Sequence, residues 1–135
     1  MTAHSDCHEV WSRAVPRRTG KALVLATMPA LQALCDAVRQ ARLEPSMLPE
    51  GDIDRHASAL RLVEDADLVL IDMLAPRHDH LLLVGYGHAR GKTIIAYGAS
   101  VSSDSLLRDF AAAVPEDMGE LDGVLAALRQ DGPPL

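Results

Sequence analysis

Three groups of residues in this chain carry side chains that can do chemistry. Asp72 closes the apolar run Ala66-Asp67-Leu68-Val69-Leu70-Ile71. A carboxylate in that place can contact a ligand or can hold the loop that follows. His78, Asp79 and His80 are consecutive. Imidazole and carboxylate together suit a metal ion, but no third ligand clusters with them, so a helix cap or polar rim is the simpler reading and no metal is assigned. Ser100, Ser102 and Ser103 share one loop after Gly98. Their hydroxyls can contact a phosphate or serve the turn alone. His4, Cys7 and His8 make a weaker metal case near the start of the chain. Cys35 reads as a small core residue.

The glycines suggest two phosphate motifs, and neither holds. Gly20-Lys21 is followed by Ala22 and lacks the spaced glycine of a P-loop. Gly85, Gly87 and Gly91 imitate a dinucleotide fingerprint, which should follow a strand and open a helix. Here a strand follows at once, so these glycines read as small residues for close helix–sheet packing.

The elements that position these groups alternate. Lys21 to Thr27 is an aliphatic run suited to a strand buried on both faces. Pro29 suits the first turn of a helix, and Leu31, Leu34, Val38 and Ala41 follow at helical spacing. Leu43 to Leu48 is a weaker strand, interrupted by Pro45. Asp52 or Asp54 can cap a helix running to Glu64. Ala66 to Ile71 is the third strand. His80 to Arg90 is a helix that ends at Gly91, and Thr93 to Tyr97 is the fourth strand. Ser103 or Asp104 can cap a helix through Ala112. Ala113 and Val114 suit a short fifth strand, and Leu121, Val124, Leu125 and Leu128 make an apolar stripe on a last helix. This order predicts an α/β three-layer sandwich, a parallel five-stranded sheet of flavodoxin-like order 2-1-3-4-5. Residues 1–20 read as a polar arm, which Val10 and Trp11 can dock on the body or on a partner subunit. Residues 21–131 read as the one domain.

Ligands of such sheets bind beyond the carboxyl ends of the strands, where strand order reverses. That rule selects Thr27 and Met28 after the first strand, Asp72 after the third, and Gly98 and Ser100 after the fourth. The start of the third helix, with Asp79, faces the same crevice, and its N–H groups favour an anion.

Composition narrows the partners. The chain has 135 residues, 48% of them hydrophobic but only 3% aromatic, so its core is aliphatic. A net charge of −6 argues against a nucleic-acid backbone as partner. No apolar run is long enough for a bilayer, and the start lacks a signal-peptide segment, which predicts a cytoplasmic protein. Two cysteines make no disulfide framework.

Residues 66 to 92 resemble the signature half of the nucleoside 2-deoxyribosyltransferase-like superfamily, which includes nucleotide N-glycosidases and relatives of TIR domains. Asp67, Asp72, Gly85, Tyr86, His88, Ala89, Gly91 and Lys92 match the family pattern without a gap. The family's Thr falls on Leu74, its second Asn on Asp79, its Tyr on Leu82, and the Pro after Gly-Lys on Thr93. Its catalytic Glu falls on Leu83. The resemblance implies a flavodoxin-like domain that binds a nucleoside- or nucleotide-like small molecule, needs no cofactor, and assembles as a homodimer or larger homo-oligomer. It also implies weak or absent catalysis. In active relatives the carboxylate attacks the anomeric carbon through an oxocarbenium-like transition state, and leucine cannot. Asp79, one turn earlier, and Asp72 are the candidates if an N-glycosidic bond is cleaved or transferred. The other alternative is a structural or interaction module without a ligand. Leu81, Leu82, Leu83 and Val84 cannot all face one sheet, which leaves apolar surface for a neighbouring subunit.

Overall fold

The computed structural model describes residues 19–49, 55–98 and 109–131. The expected order of elements holds in its main line: strands and helices alternate from β1 (Lys21–Leu25) through α1 (Ala30–Gln40), β2 (Glu44–Ser46), α2 (Arg55–Asp65) and β3 (Leu68–Asp72). They continue through α3 (His78–Ala89) and β4 (Thr93–Tyr97) to α4 (Met118–Asp131). The polar arm to residue 18, the proposed caps Asp52, Asp54, Ser103 and Asp104, and Ser100 lie outside the described residues.

All pairings are parallel, in the order β2-β1-β3-β4. The alternation of side chains along each strand divides the core in two. Leu23, Leu25, Val69, Ile71, Ile94 and Ala96 face α2 and α3, where Ala59, Val63, Leu83 and Val84 cover them. Ala22, Val24, Leu68, Leu70 and Ile95 face the other way, under Leu34 and Val38 of α1 and Leu121 and Leu125 of α4. Both faces are therefore dry, which is why the central strands are continuous aliphatic runs. Among the described residues, no helix is long and apolar enough to cross a membrane.

Among the described residues the sheet has four strands, not the expected five. Ala113 makes only an isolated parallel bridge to Ile95. The Ala112 N–H donates to the Ile94 carbonyl (2.7 Å), and the Ala113 carbonyl accepts from Ala96 (3.0 Å). Pro115 has no N–H to donate, so pairing beyond Ala113 continues only through its carbonyl, which accepts from the Gly98 N–H (2.8 Å), and no regular strand forms. The same residue type limits β2. Pro45 pairs with Ala22, which is tolerated only because β2 is an edge strand.

Asp67 holds the start of the sheet together. Its buried carboxylate accepts from the Thr19 N–H (3.0 Å), the Thr19 hydroxyl (3.1 Å) and the Gly20 N–H (2.9 Å). It thus fixes the chain entering β1 against the start of β3. Asp67→Ala should cost about 2–3 kcal/mol, because it leaves partly buried donors without an acceptor. A urea titration measures this as a lower midpoint at unchanged slope. A loss under about 0.5 kcal/mol would mean that water replaces the carboxylate without penalty.

Glycine serves two different purposes in α3. A Cβ on Gly87 would lie 3.3 Å from Val69 Cγ2 and 3.4 Å from Val63 Cγ1, so this residue lets α3 lie close to the sheet. A Cβ on Gly85 would meet nothing within 4 Å. Its cost to the helix, about 1 kcal/mol relative to alanine, is not explained by packing among the described residues. Gly91 follows the helix with φ 78°, the left-handed C-terminal position that glycine favours.

Candidate functional site

A cleft of about 300 Å³ opens at the carboxyl ends of β1 and β2. Val24, Ala26, Thr27, Met28 and Leu31 line it from β1 and the start of α1. Met47, Leu48 and Pro49 line it from the segment after β2, and Arg77 and His80 from the start of α3. The strand order reverses between β1 and β3, so the cleft lies where an α/β sheet ordinarily takes its ligand. β1 ends at Leu25, and the chain running on from its carboxyl end places Thr27 and Met28 in the cleft wall. The Met28–Pro29 peptide bond is cis, and Pro29 is the N-cap residue of α1, one place before the first turn.

The cleft wall is mixed. Leu31, Leu48, Pro49 and the two methionines supply apolar area, with Met28 64% and Met47 46% exposed at the rim. Arg77 supplies a fixed positive charge and His80 a buried imidazole, 4% exposed. From the sequence, His80 is weighed only for a metal ion and Arg77 is not singled out. Both stand beside Asp79 at the start of a helix, and that position was the available signal. Their side chains reach the cleft because α3, packed on β3 and β4, begins beside the carboxyl ends of the strands, a fact of tertiary packing.

The other expected site residues have different surroundings. Asp72 is the last residue of β3 and is 3% exposed. One of its oxygens accepts from the Leu74 N–H at 3.0 Å, the Asx turn by which an aspartate holds its own loop. Gly98, with φ 75°, ends β4, and a Cβ there would lie 2.7 Å from Leu74 Cγ. Leu74 thus covers the carboxyl ends of β3 and β4, and the open part of the crevice is at β1 and β2. Asp79 is half-exposed and forms an ion pair with Arg77, whose Nε lies 3.1 Å from its Oδ1. Slight desolvation opposes its charge, but the Arg77 hydrogen bond and the positive charges of His80 and Arg77 outweigh it. The carboxyl is therefore held below its ordinary range, ionised at neutral pH and unsuited to giving up a proton as a general acid.

Leu83 is 8% exposed and belongs to the core between α3 and the sheet. Asp79 and Leu83 do not share surroundings: one turn of helix separates a half-exposed carboxylate from a buried leucine. Asp79 is not delivered to the place Leu83 occupies. Cys35 is buried among the α1 side chains, and that burial pushes its thiol up despite nearby Arg39, so it is a packing residue. Among the described residues, no group of three or more His, Cys, Asp or Glu is placed to hold a metal ion.

No family model matches this chain, and no curated protein matches it. Among solved structures, it is similar to a protein from Burkholderia pseudomallei K96243 described as pilus assembly-related. The two superpose with a TM-score of 0.59 over 87% of this chain and 96% of that one, at 20% identity. That likeness is one of fold.

Proposed function

We propose that this chain is a non-catalytic binding domain of the nucleoside 2-deoxyribosyltransferase-like kind, taking a nucleoside- or nucleotide-like molecule in the cleft beside β1. The observation that carries the reading is the pairing of a mixed cleft with a lost nucleophile. Leu31, Leu48 and Pro49 offer an apolar wall for a base, while Arg77 and the start of α3 offer a charge for a phosphate. Leu83 is built into the core, where the attacking carboxylate of the family would have to stand. The flavodoxin-like assignment belongs to the same reading, with the strand order β2-β1-β3-β4 and the Ala113 bridge beyond β4 supporting it. So does a cytoplasmic setting, where such ligands are found.

The enzyme alternative, with Asp72 or Asp79 as the carboxylate, is less well supported. Asp72 is engaged by Leu74 and Asp79 by Arg77. A structural or interaction module is the second reading. Leu82, 76% exposed, favours it, and the solved neighbour is described as pilus assembly-related.

A thermal-shift screen of nucleosides, nucleoside monophosphates and diphosphates tests the proposal. A true ligand at a hundredfold its dissociation constant adds about 2.7 kcal/mol of stability. Arg77→Ala should weaken nucleotide binding roughly tenfold or more and leave nucleoside binding nearly unchanged, since the guanidinium is assigned to the phosphate. A panel that shifts nothing would remove the ligand and leave the interaction module in its place.

A further inference from the structure

We infer that the outer face of α3 is a two-fold interface with a second copy of this chain, in which Leu82 of each copy seats over Gly85 of the other. The inward face of α3 is complete. His80, Leu83, Val84 and Gly87 are its buried residues. Helical geometry puts His78, Leu82, Gly85 and Ala89 on the opposite side. Their spacing of four, three and four is that of a helix seam. Leu82 is 76% exposed, more than any other exposed large hydrophobic residue among those described.

Gly85 supplies the independent observation. Its backbone does not need glycine by a positive φ, and a Cβ would touch no described residue within 4 Å. Gly87, two residues on, shows what an internally required glycine looks like. Gly85 instead leaves a notch on the outside of the helix, three residues from a projecting leucine. A surface that carries both a knob and its hole is self-complementary under a two-fold axis. The axis must run between Leu82 and Gly85, and that arrangement sets the two copies of α3 antiparallel.

Charge selects the same partner and the same direction. Asp79 and Arg90 are eleven residues apart, about three turns, and so lie on one flank of the seam. Antiparallel pairing brings Asp79 of each copy towards Arg90 of the other, whereas parallel two-fold pairing would place the same flank of the two copies on opposite sides of the seam and leave these charges apart. Asp79 already carries Arg77 at 3.1 Å, and Arg90 carries Glu64 at 2.7 Å. Across the interface the four charges alternate in sign. Antiparallel helix dipoles also attract. The inference does not depend on the cleft binding a ligand.

Sedimentation equilibrium of the full chain tests it, with circular dichroism as a check of folding. Wild type should be a dimer. Leu82→Arg and Gly85→Leu should each raise the dimer dissociation constant about a hundredfold, since a two-fold axis counts every change twice. Both positions are open on the single chain, so the fold of each variant should be unchanged. Asp79→Arg and Arg90→Asp should each weaken the dimer, and the two together should recover it. A wild type that stays monomeric at all concentrations would overturn the interface, as would a dimer indifferent to Gly85→Leu. Failure of the double charge reversal to recover association would overturn the antiparallel pairing.

Discussion

Leu83→Glu is expected to destabilise the protein by about 3–5 kcal/mol and to yield no glycosidase. The leucine is 8% exposed and packs with Leu25, Val63 and Ile71 in the core beneath α3. Replacing it removes apolar contacts and asks a carboxylate to sit among aliphatic side chains. Such a group takes up a proton rather than remain charged, so its folded pKa rises above the unfolded value near 4.3. The sign of the pH effect follows. A raised carboxyl pKa means that the folded state binds the proton more tightly, so the variant's deficit is smallest at or below the unfolded pKa and grows as pH rises through the folded one. Urea titrations at several pH values, together with chromatography of a deoxynucleoside and nucleotide panel, measure both parts. Near-native stability at neutral pH, or product formation by the variant, would show that this position faces the ligand.

Gly87→Leu should cost about 3 kcal/mol, chiefly by lifting α3 from the sheet. Even a single carbon at this position would lie 3.3 Å from Val69, 3.4 Å from Val63 and 3.5 Å from Ile94. These neighbours belong to β3, α2 and β4, three elements that cannot all withdraw. Gly87→Ala should be close to neutral, since a gain in helix propensity of about 1 kcal/mol is offset by one tight contact. The contrast between alanine and leucine separates crowding from a loss of backbone freedom. Chemical denaturation of both variants measures it, and a leucine tolerated as well as the alanine would mean that α3 is not held close. Because Arg77 and His80 enter the cleft from the start of the same helix, Gly87→Leu should also weaken any ligand bound there.

The residues that carry the family resemblance largely serve the fold. Asp67 fastens Thr19 and Gly20, Gly91 ends α3, and the Lys92 ammonium donates to the Glu64 carbonyl at 2.8 Å. His88 stacks on Phe110 with ring centroids 4.2 Å apart. A match at these positions is therefore accounted for by packing alone. This is consistent with the non-catalytic reading and does not depend on it.

The sequence by itself determined the order of elements, because periodicity and punctuation are local properties. The aliphatic runs at Lys21, Ala66 and Thr93 mark strands covered on both faces, and Gly91 marks the end of α3. Tertiary structure decided what each side chain meets. Helix α3 is apolar nearly all round, so its sequence does not show that Leu83 faces inward and Leu82 outward. That phase is set by the sheet against which the helix packs. Asp67 finds its donors 47 and 48 residues away, a separation at which no local pattern operates. The position of the cleft was decided in the same way. Leu74 lies over Gly98 while Arg77 and His80 reach across to Thr27, so the opening is set by side chains from separate segments that only folding brings together.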